Sequence, residues 1–147
     1  MVDRPDVGLV TLTGPAGVGK TRLALEIAGQ VATSFSGGTA VISLADLDHE
    51  SLVLPAIGRA FDIYDVSPLE LERRLGATLG GRRTLLVLDN FEHVVEIAPR
   101  IATLAQAVPT LNVLITSRES LRIADERVVA IQPLTIPDPH ARGIDIS

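Results

Sequence analysis

The sequence predicts an α/β domain built on a central parallel sheet, and three observations predict it. Apolar runs rich in β-branched residues recur at 7–13, 39–45, 84–88, 111–116 and 127–131. Stretches with apolar residues at helical spacing lie between the first four of these runs, and a glycine-rich loop follows the first run directly. Strands alternating with helices bury a parallel sheet under helical layers, joined by right-handed crossovers, and place active groups at the carboxyl ends of the strands. A chain of 147 residues is large enough for one such domain with a real core.

Each element has its own justification. Residues 1–6 are polar with a proline and read as a lead-in. Val7 to Thr13 (VGLVTLT) is the first buried strand. From Lys20 onward, Leu23, Ile27 and Val31 recur at i+4 beside Ala24 and Ala28, the pattern of an amphipathic helix that Ser36-Gly37-Gly38 stops. Thr39 to Ala45 is the second strand, followed by the acidic turn Asp46-Leu47-Asp48. Residues 50–61 read as a helix with Leu52, Ala56 and Ala60 in register and with Pro55 shifting its start or bending it. Ser67-Pro68 is an N-cap and first-turn pair for a helix reaching Leu79, with Leu71, Leu75 and Leu79 on one face, Glu70 and Arg74 spaced for an ion pair, and Gly80-Gly81 ending it. Thr84 to Leu88 (TLLVL) is a continuous apolar strand that delivers Asp89 at its tip. A helix covers 94–107, with Pro99 starting its regular part or kinking it. Leu111 to Thr116 is a fourth strand ending in Ser117-Arg118, Glu119 to Ile123 reads as one helical turn, and Arg127 to Ile131 is a fifth strand. The segment 133–147 holds Pro133, Pro137 and Pro139 and reads as irregular.

The chemistry concentrates in Gly14-Pro15-Ala16-Gly17-Val18-Gly19-Lys20-Thr21, which matches the phosphate-binding pattern G-x-x-x-x-G-K-[ST] at every fixed position. Glycines let backbone N–H groups turn inward toward phosphate oxygens, and the following helix aims its positive end at the same place. Lys20 adds a point charge, and the Thr21 hydroxyl is a ligand for Mg²⁺. Lys20 is also the only lysine among thirteen basic residues, and arginine cannot replace a compact ammonium without changing the loop's geometry. Two further positions fall where such a loop needs them. Asp89 either holds the Mg²⁺ shell and reinforces Thr21 or caps the next turn; beside a complete phosphate loop the metal role is favoured. Arg118 is either a sensor, its fork pairing with γ-phosphate oxygens, or a solvated loop residue. Asn90 cannot take a proton at neutral pH, whereas Glu92 is either the group that orients water or a solvent-facing carboxylate. Arg22 is placed to face nucleotide or solvent, and His93 reads as a surface or capping residue.

Composition excludes other classes. The net charge is −5 with no run of basic residues, so the footprint of a nucleic-acid surface is missing. There are no cysteines, and three scattered histidines lack metal-ligand spacing. No apolar span reaches membrane length and no signal pattern opens the chain, so a cytoplasmic place without membrane attachment is expected.

In this order and spacing, LVTLTGPAGVGKTRLALEIA, TLLVLDNFEHV and LNVLITSRESLRI resemble the nucleotide-binding domain of STAND-class signal-transduction ATPases. The likeness is nearest to bacterial LuxR-type and SARP-type (AfsR-like) transcriptional regulators, with NB-ARC domains as more distant relatives, and it covers residues 7 to about 133. It implies a P-loop NTPase three-layer sandwich with a five-stranded sheet in the order 5-1-4-3-2. It further implies ATP or ADP with Mg²⁺ as cofactors and a switch that is closed with ADP and oligomerises with ATP. By position, Gly14 to Thr21 become Walker A, Asp89 the Walker B acid and Arg118 the sensor arginine. Many relatives carry two acids at the Walker B tip where this chain has Asp89-Asn90, so slow hydrolysis is expected. Relatives also carry a Val-Gly-Arg segment before the first strand, and helical, winged-helix and repeat domains after the fifth, so the chain reads as the core of a longer protein. The rival readings are a metabolic P-loop kinase, for which 46–80 supplies no clear acceptor lid, and an interaction scaffold with a vestigial loop, against which the intact loop argues.

Overall fold

A computed structural model describes residues 8–123 and 125–132. Five strands, β1 (Leu9–Thr13), β2 (Thr39–Ser43), β3 (Thr84–Asp89), β4 (Leu111–Ser117) and β5 (Glu126–Ala130), form one sheet in the order β2-β3-β4-β1-β5, and every neighbouring pair is parallel. This is the expected 5-1-4-3-2 order read from the opposite edge. The three central strands β1, β3 and β4 are buried at every residue, whereas the edge strands β2 and β5 mix exposed with half-buried positions. Continuous apolar runs therefore mark the centre, since a strand covered on both faces has no polar side to present.

Four helices cover the two faces: α1 (Lys20–Gln30), α2 (Val53–Ala60), α3 (Pro68–Leu79) and α4 (Ala98–Ala107). The connection from β1 to β2 runs one way across the sheet and those from β2 to β3 and β3 to β4 run back. Right-handed crossovers then put α1 on one face and the other three helices on the opposite face. The two cores follow. Val10, Leu12, Leu85, Val87 and Leu114 meet α1 through Ala24 and Ala28, with Phe35 closing the cluster. Leu86, Leu88, Leu111, Val113 and Ile115 meet α2, α3 and α4 through Ile57, Leu75, Ile101 and Leu104. The result is a three-layer sandwich.

The helix boundaries carry local reasons. Ser67 caps α3, its Oγ accepting the Glu70 N–H at 3.2 Å, and Gly80 ends it in the left-handed region at φ 55°. Pro55 sits in the first turn of α2, after a 3-10 turn at Glu50–Leu52, and Pro99 in the first turn of α4, after one at Val95–Ile97. In both places an N–H is not needed for the helix ladder, so the prolines shift the starts and bend nothing.

Four expectations need correction. In α2 the expected register of Leu52, Ala56 and Ala60 is not the buried face: Leu52 and Ala60 are exposed, while Val53, Leu54, Ala56 and Ile57 enter the core. The face of α1 that goes deepest is the alanine pair Ala24 and Ala28, while Leu23, Ile27 and Val31 pack at its margin; small side chains let the helix lie close on the sheet. The same helix ends at Gln30, before the glycines, and a 3-10 turn at Ala32–Ser34 swings Phe35 into the core. Residues 119–123 form no helical turn. The N–H groups of Leu121 and Arg122 donate to the Glu126 carboxylate at 2.8 and 2.9 Å, and Arg122 takes φ 57°, which a right-handed helix does not allow. The lead-in and tail read at 1–6 and 133–147, together with Val7, lie outside the described residues.

Candidate nucleotide-binding site

The loop between β1 and α1 stands at the carboxyl end of the sheet. A Cβ on Gly14 would lie 2.9 Å from the Ile131 carbonyl oxygen and 3.0 Å from Val18 Cγ1, so only glycine fits where the loop leaves β1. Gly17 and Gly19 hold φ of 82° and 95°, backbone that costs an L-residue about 1 kcal/mol. Gly19 is the N-cap of α1 and makes no side-chain bond, which leaves the first-turn N–H groups without intrahelical acceptors and with the helix dipole behind them. Most of the loop is exposed, but Lys20 is buried at 8 % relative exposure. Its ammonium donates to the Gly14 carbonyl at 2.7 Å and the Pro15 carbonyl at 3.0 Å. The cation is thus held inside the loop, with one of its three protons to spare.

Asp89 ends β3 two strands away from the loop, because β4 lies between β1 and β3. Its carboxylate reaches back. The Thr21 hydroxyl lies 2.9 Å from both Asp89 oxygens, joining residues 68 apart in sequence. From β4, Thr116 donates its hydroxyl to Asp89 Oδ1 and accepts the backbone N–H of Asn90 at 2.8 Å. The Asn90 amide donates to Asp89 Oδ2 at 3.3 Å. Asn90 itself is left-handed at φ 65° and ψ 51°, a conformation asparagine tolerates.

The remaining predicted site residues are placed as follows. Arg118 is exposed just beyond β4, and it lines a polar cavity of about 660 Å³ together with Glu92, His93 and Ser117. Glu92 Oε1 is buried there without a hydrogen-bond partner among the described residues, and the other oxygen of that carboxylate lies 4.0 Å from His93 Nε2. Arg22 points along the outside of α1, 3.5 Å from Glu26. Thus Gly14 to Thr21 and Asp89 come together, Glu92 and Arg118 share a neighbouring cavity, and Arg22 stands on the outer surface of α1. The site also contains Thr116, which the sequence places in the Thr116-Ser117-Arg118 stretch without a role of its own. Thr116 closes an apolar strand, and its meaning depends on β4 lying between the other two strands, opposite Leu12 in register. Among the described residues no three His, Cys, Asp or Glu side chains cluster to hold a metal, and no helix is long and apolar enough to cross a membrane.

A parallel sheet in this order, with a complete phosphate-loop motif after β1 and an acid at the end of β3, defines an α/β P-loop domain. The NB-ARC domain family model matches residues 1–133, and the chain belongs to that family, which implies nucleotide binding. A Mycobacterium tuberculosis H37Rv protein provisionally named an HTH-type transcriptional regulator is 37% identical over 131 residues, covering 88% of this chain and 15% of its own length. A second protein of that organism, with no assigned function, is 36% identical over 132 residues, or 89% of this chain and 34% of itself. The chain therefore spans a minor part of both relatives. Among solved structures, Cdc6p of Pyrobaculum aerophilum superposes with a TM-score of 0.68 at 17% identity, covering 86% of this chain and 39% of that one. The ORC2 protein of Aeropyrum pernix, solved with ADPNP and ADP, gives 0.59 at 16% identity, covering 86% and 42%. Those two likenesses are of fold.

Proposed function

We propose that the chain is the ATP- and ADP-binding regulatory module of a STAND-class signal-transduction ATPase, in a transcriptional regulator of the LuxR or SARP type. The observation that carries this reading is the hydrogen-bonded pair Thr21 and Asp89, joined across 68 residues beside the buried Lys20. Gly14 to Thr21 cradle the phosphates, with Lys20 exchanging its two loop carbonyls for phosphate oxygens. Thr21 and Asp89 hold Mg²⁺, whose part is to neutralise phosphate charge. A hydroxyl and one carboxylate suit this ion, which keeps several waters and takes further oxygens from phosphate. The residues present fit the group: the buried Lys20 ammonium lies within the loop, and an oxygen pair, Thr21 with Asp89, stands beside it.

Hydrolysis is slow in this reading. Asn90 stands where a second acid would act, and its amide donates to Asp89 and accepts no proton. Glu92, with a buried oxygen lacking a partner among the described residues, is the carboxylate that orients water, and Arg118 across the same cavity reads the γ-phosphate. Such a site suits a nucleotide-state switch, with ATP favouring self-association and other domains of the full protein receiving the signal. The coverage of 15% and 34% of the relatives' lengths supports those further domains. The net charge of −5 supports a module that leaves DNA contact to another part of the protein, in the cytoplasm.

Calorimetric titration with ADP and ATP, with and without Mg²⁺, tests the reading. Binding that strengthens with Mg²⁺ and disappears in Lys20→Ala is expected; a folded wild type that binds neither nucleotide rejects it.

A further inference from the structure

We propose that Thr116 is a positioning residue for the metal site, locking the Asp89 carboxylate in one orientation, and that Asn90 completes the lock. The inference rests on the nucleotide reading above but concerns residues outside the phosphate loop. A hydroxyl has one proton, and at Thr116 its direction is fixed. The oxygen accepts the Asn90 N–H at 2.8 Å, so its own proton goes to Asp89 Oδ1. Thr116 is fully buried and Asp89 is 7% exposed, so water does not compete for either bond. The left-handed backbone of Asn90 is what turns its N–H toward β4, and its side-chain amide then takes Asp89 Oδ2. Both carboxylate oxygens are thus held by Thr116 and Asn90, Oδ1 by the one and Oδ2 by the other, while Thr21 from the loop bonds both. The carboxylate keeps its alignment with Thr21 before any ion arrives. Partners of this kind behind a metal ligand typically change affinity about 10-fold to 100-fold when removed.

Position 90 shares in this. An aspartate there would supply a second carboxylate able to accept a proton from water, whereas the asparagine amide donates to Asp89 and accepts none, so its part is to orient the carboxylate.

The test uses Thr116→Val, which keeps the shape and removes the hydroxyl, and Thr116→Ser, which restores it. ADP affinity is measured by calorimetry across a Mg²⁺ series and in EDTA. For Thr116→Val the Mg²⁺ concentration giving half the affinity gain rises about 10-fold, affinity in EDTA stays within about 2-fold of wild type, and Thr116→Ser returns both to wild type. A folded Thr116→Val with an unchanged Mg²⁺ dependence, or with an equal loss in EDTA, overturns the proposal. Hydrogen exchange of the Asn90 amide, followed by NMR without nucleotide, gives a second reading: it is protected in wild type and Thr116→Ser. Should Thr116→Val not fold, or the wild type bind no ADP, this amide still decides; fast exchange at Asn90 in the wild type overturns the lock, while absent ADP binding overturns only the nucleotide reading.

Discussion

Lys20 keeps its ammonium on two carbonyls of its own loop, at 2.7 and 3.0 Å, so in the proposed reading a phosphate would exchange one set of partners for another without desolvating a free cation. That exchange depends on a compact head group with three protons. Lys20→Arg preserves charge but brings a planar fork into a space sized for an ammonium; calorimetry is expected to show ADP affinity falling at least about 10-fold, a loss of roughly 1.4 kcal/mol. At Arg118, which faces the cavity from an exposed position, the expected outcome of Arg118→Ala is a reduced preference for ATP over ADP with ADP affinity intact. An unchanged ratio would make it a solvated loop residue. Thr11 illustrates a different cost. It is fully buried in β1 and its hydroxyl has no hydrogen-bond partner among the described residues. Thr11→Val removes an unsatisfied polar group, and thermal unfolding is expected to show stabilisation of about 1 kcal/mol. The phosphate loop, Asp89 and the candidates Glu92 and Arg118 could all be picked from the sequence, because their residue types carry chemistry at fixed spacing. Thr116 could not be given its role there, since its partners Asp89 and Asn90 lie 27 and 26 residues away.

Among the elements, those read most accurately have their boundary signals in the local chain. Ser67, Pro68 and Gly80 delimit α3, and Glu70 meets Arg74 at 2.8 Å as spacing predicts, with Arg73 joining at 2.6 Å. Hydrogen bonds from Arg73 and then Arg74 hold the Glu70 carboxyl below its ordinary range. A lowered folded pKa means that the pair stabilises α3 above the carboxyl's unfolded pKa and that this contribution fades as pH falls through the lowered value. Because the group is at the surface, the effect is small and weakens with salt. The cap matters more: Ser67→Ala is expected to cost about 1 kcal/mol in chemical denaturation. The segment 119–123 was misread because its controlling contact is a carboxylate further along the chain, Glu126, at the start of β5. Local propensity contains no information about that bond. The same holds for α1, where apolar spacing favoured the leucine side and tight apposition to the sheet selected the alanines.

The whole molecule sets two separate cores on a sheet whose centre is legible from three unbroken apolar strands, while strand order came from the likeness of the motifs and is borne out by the pairing of β4 between β3 and β1. Ligand that binds only the folded form raises global stability by mass action, about 2.7 kcal/mol at 100-fold over its dissociation constant. A thermal shift with ADP is therefore expected, larger with Mg²⁺ than in EDTA. The close approach of Ile131 to Gly14 restricts what the loop can carry at its first position. Ile131 donates its N–H to Thr13 at 2.7 Å and sets its carbonyl where a Gly14 side chain would be. The first turn of the loop and the last rung of the sheet thus lie side by side, with the Ile131–Thr13 hydrogen bond holding that rung. A side chain at position 14 would have to displace the backbone leaving β5, so the exit of the chain from the sheet and the first turn of the loop limit each other's shape.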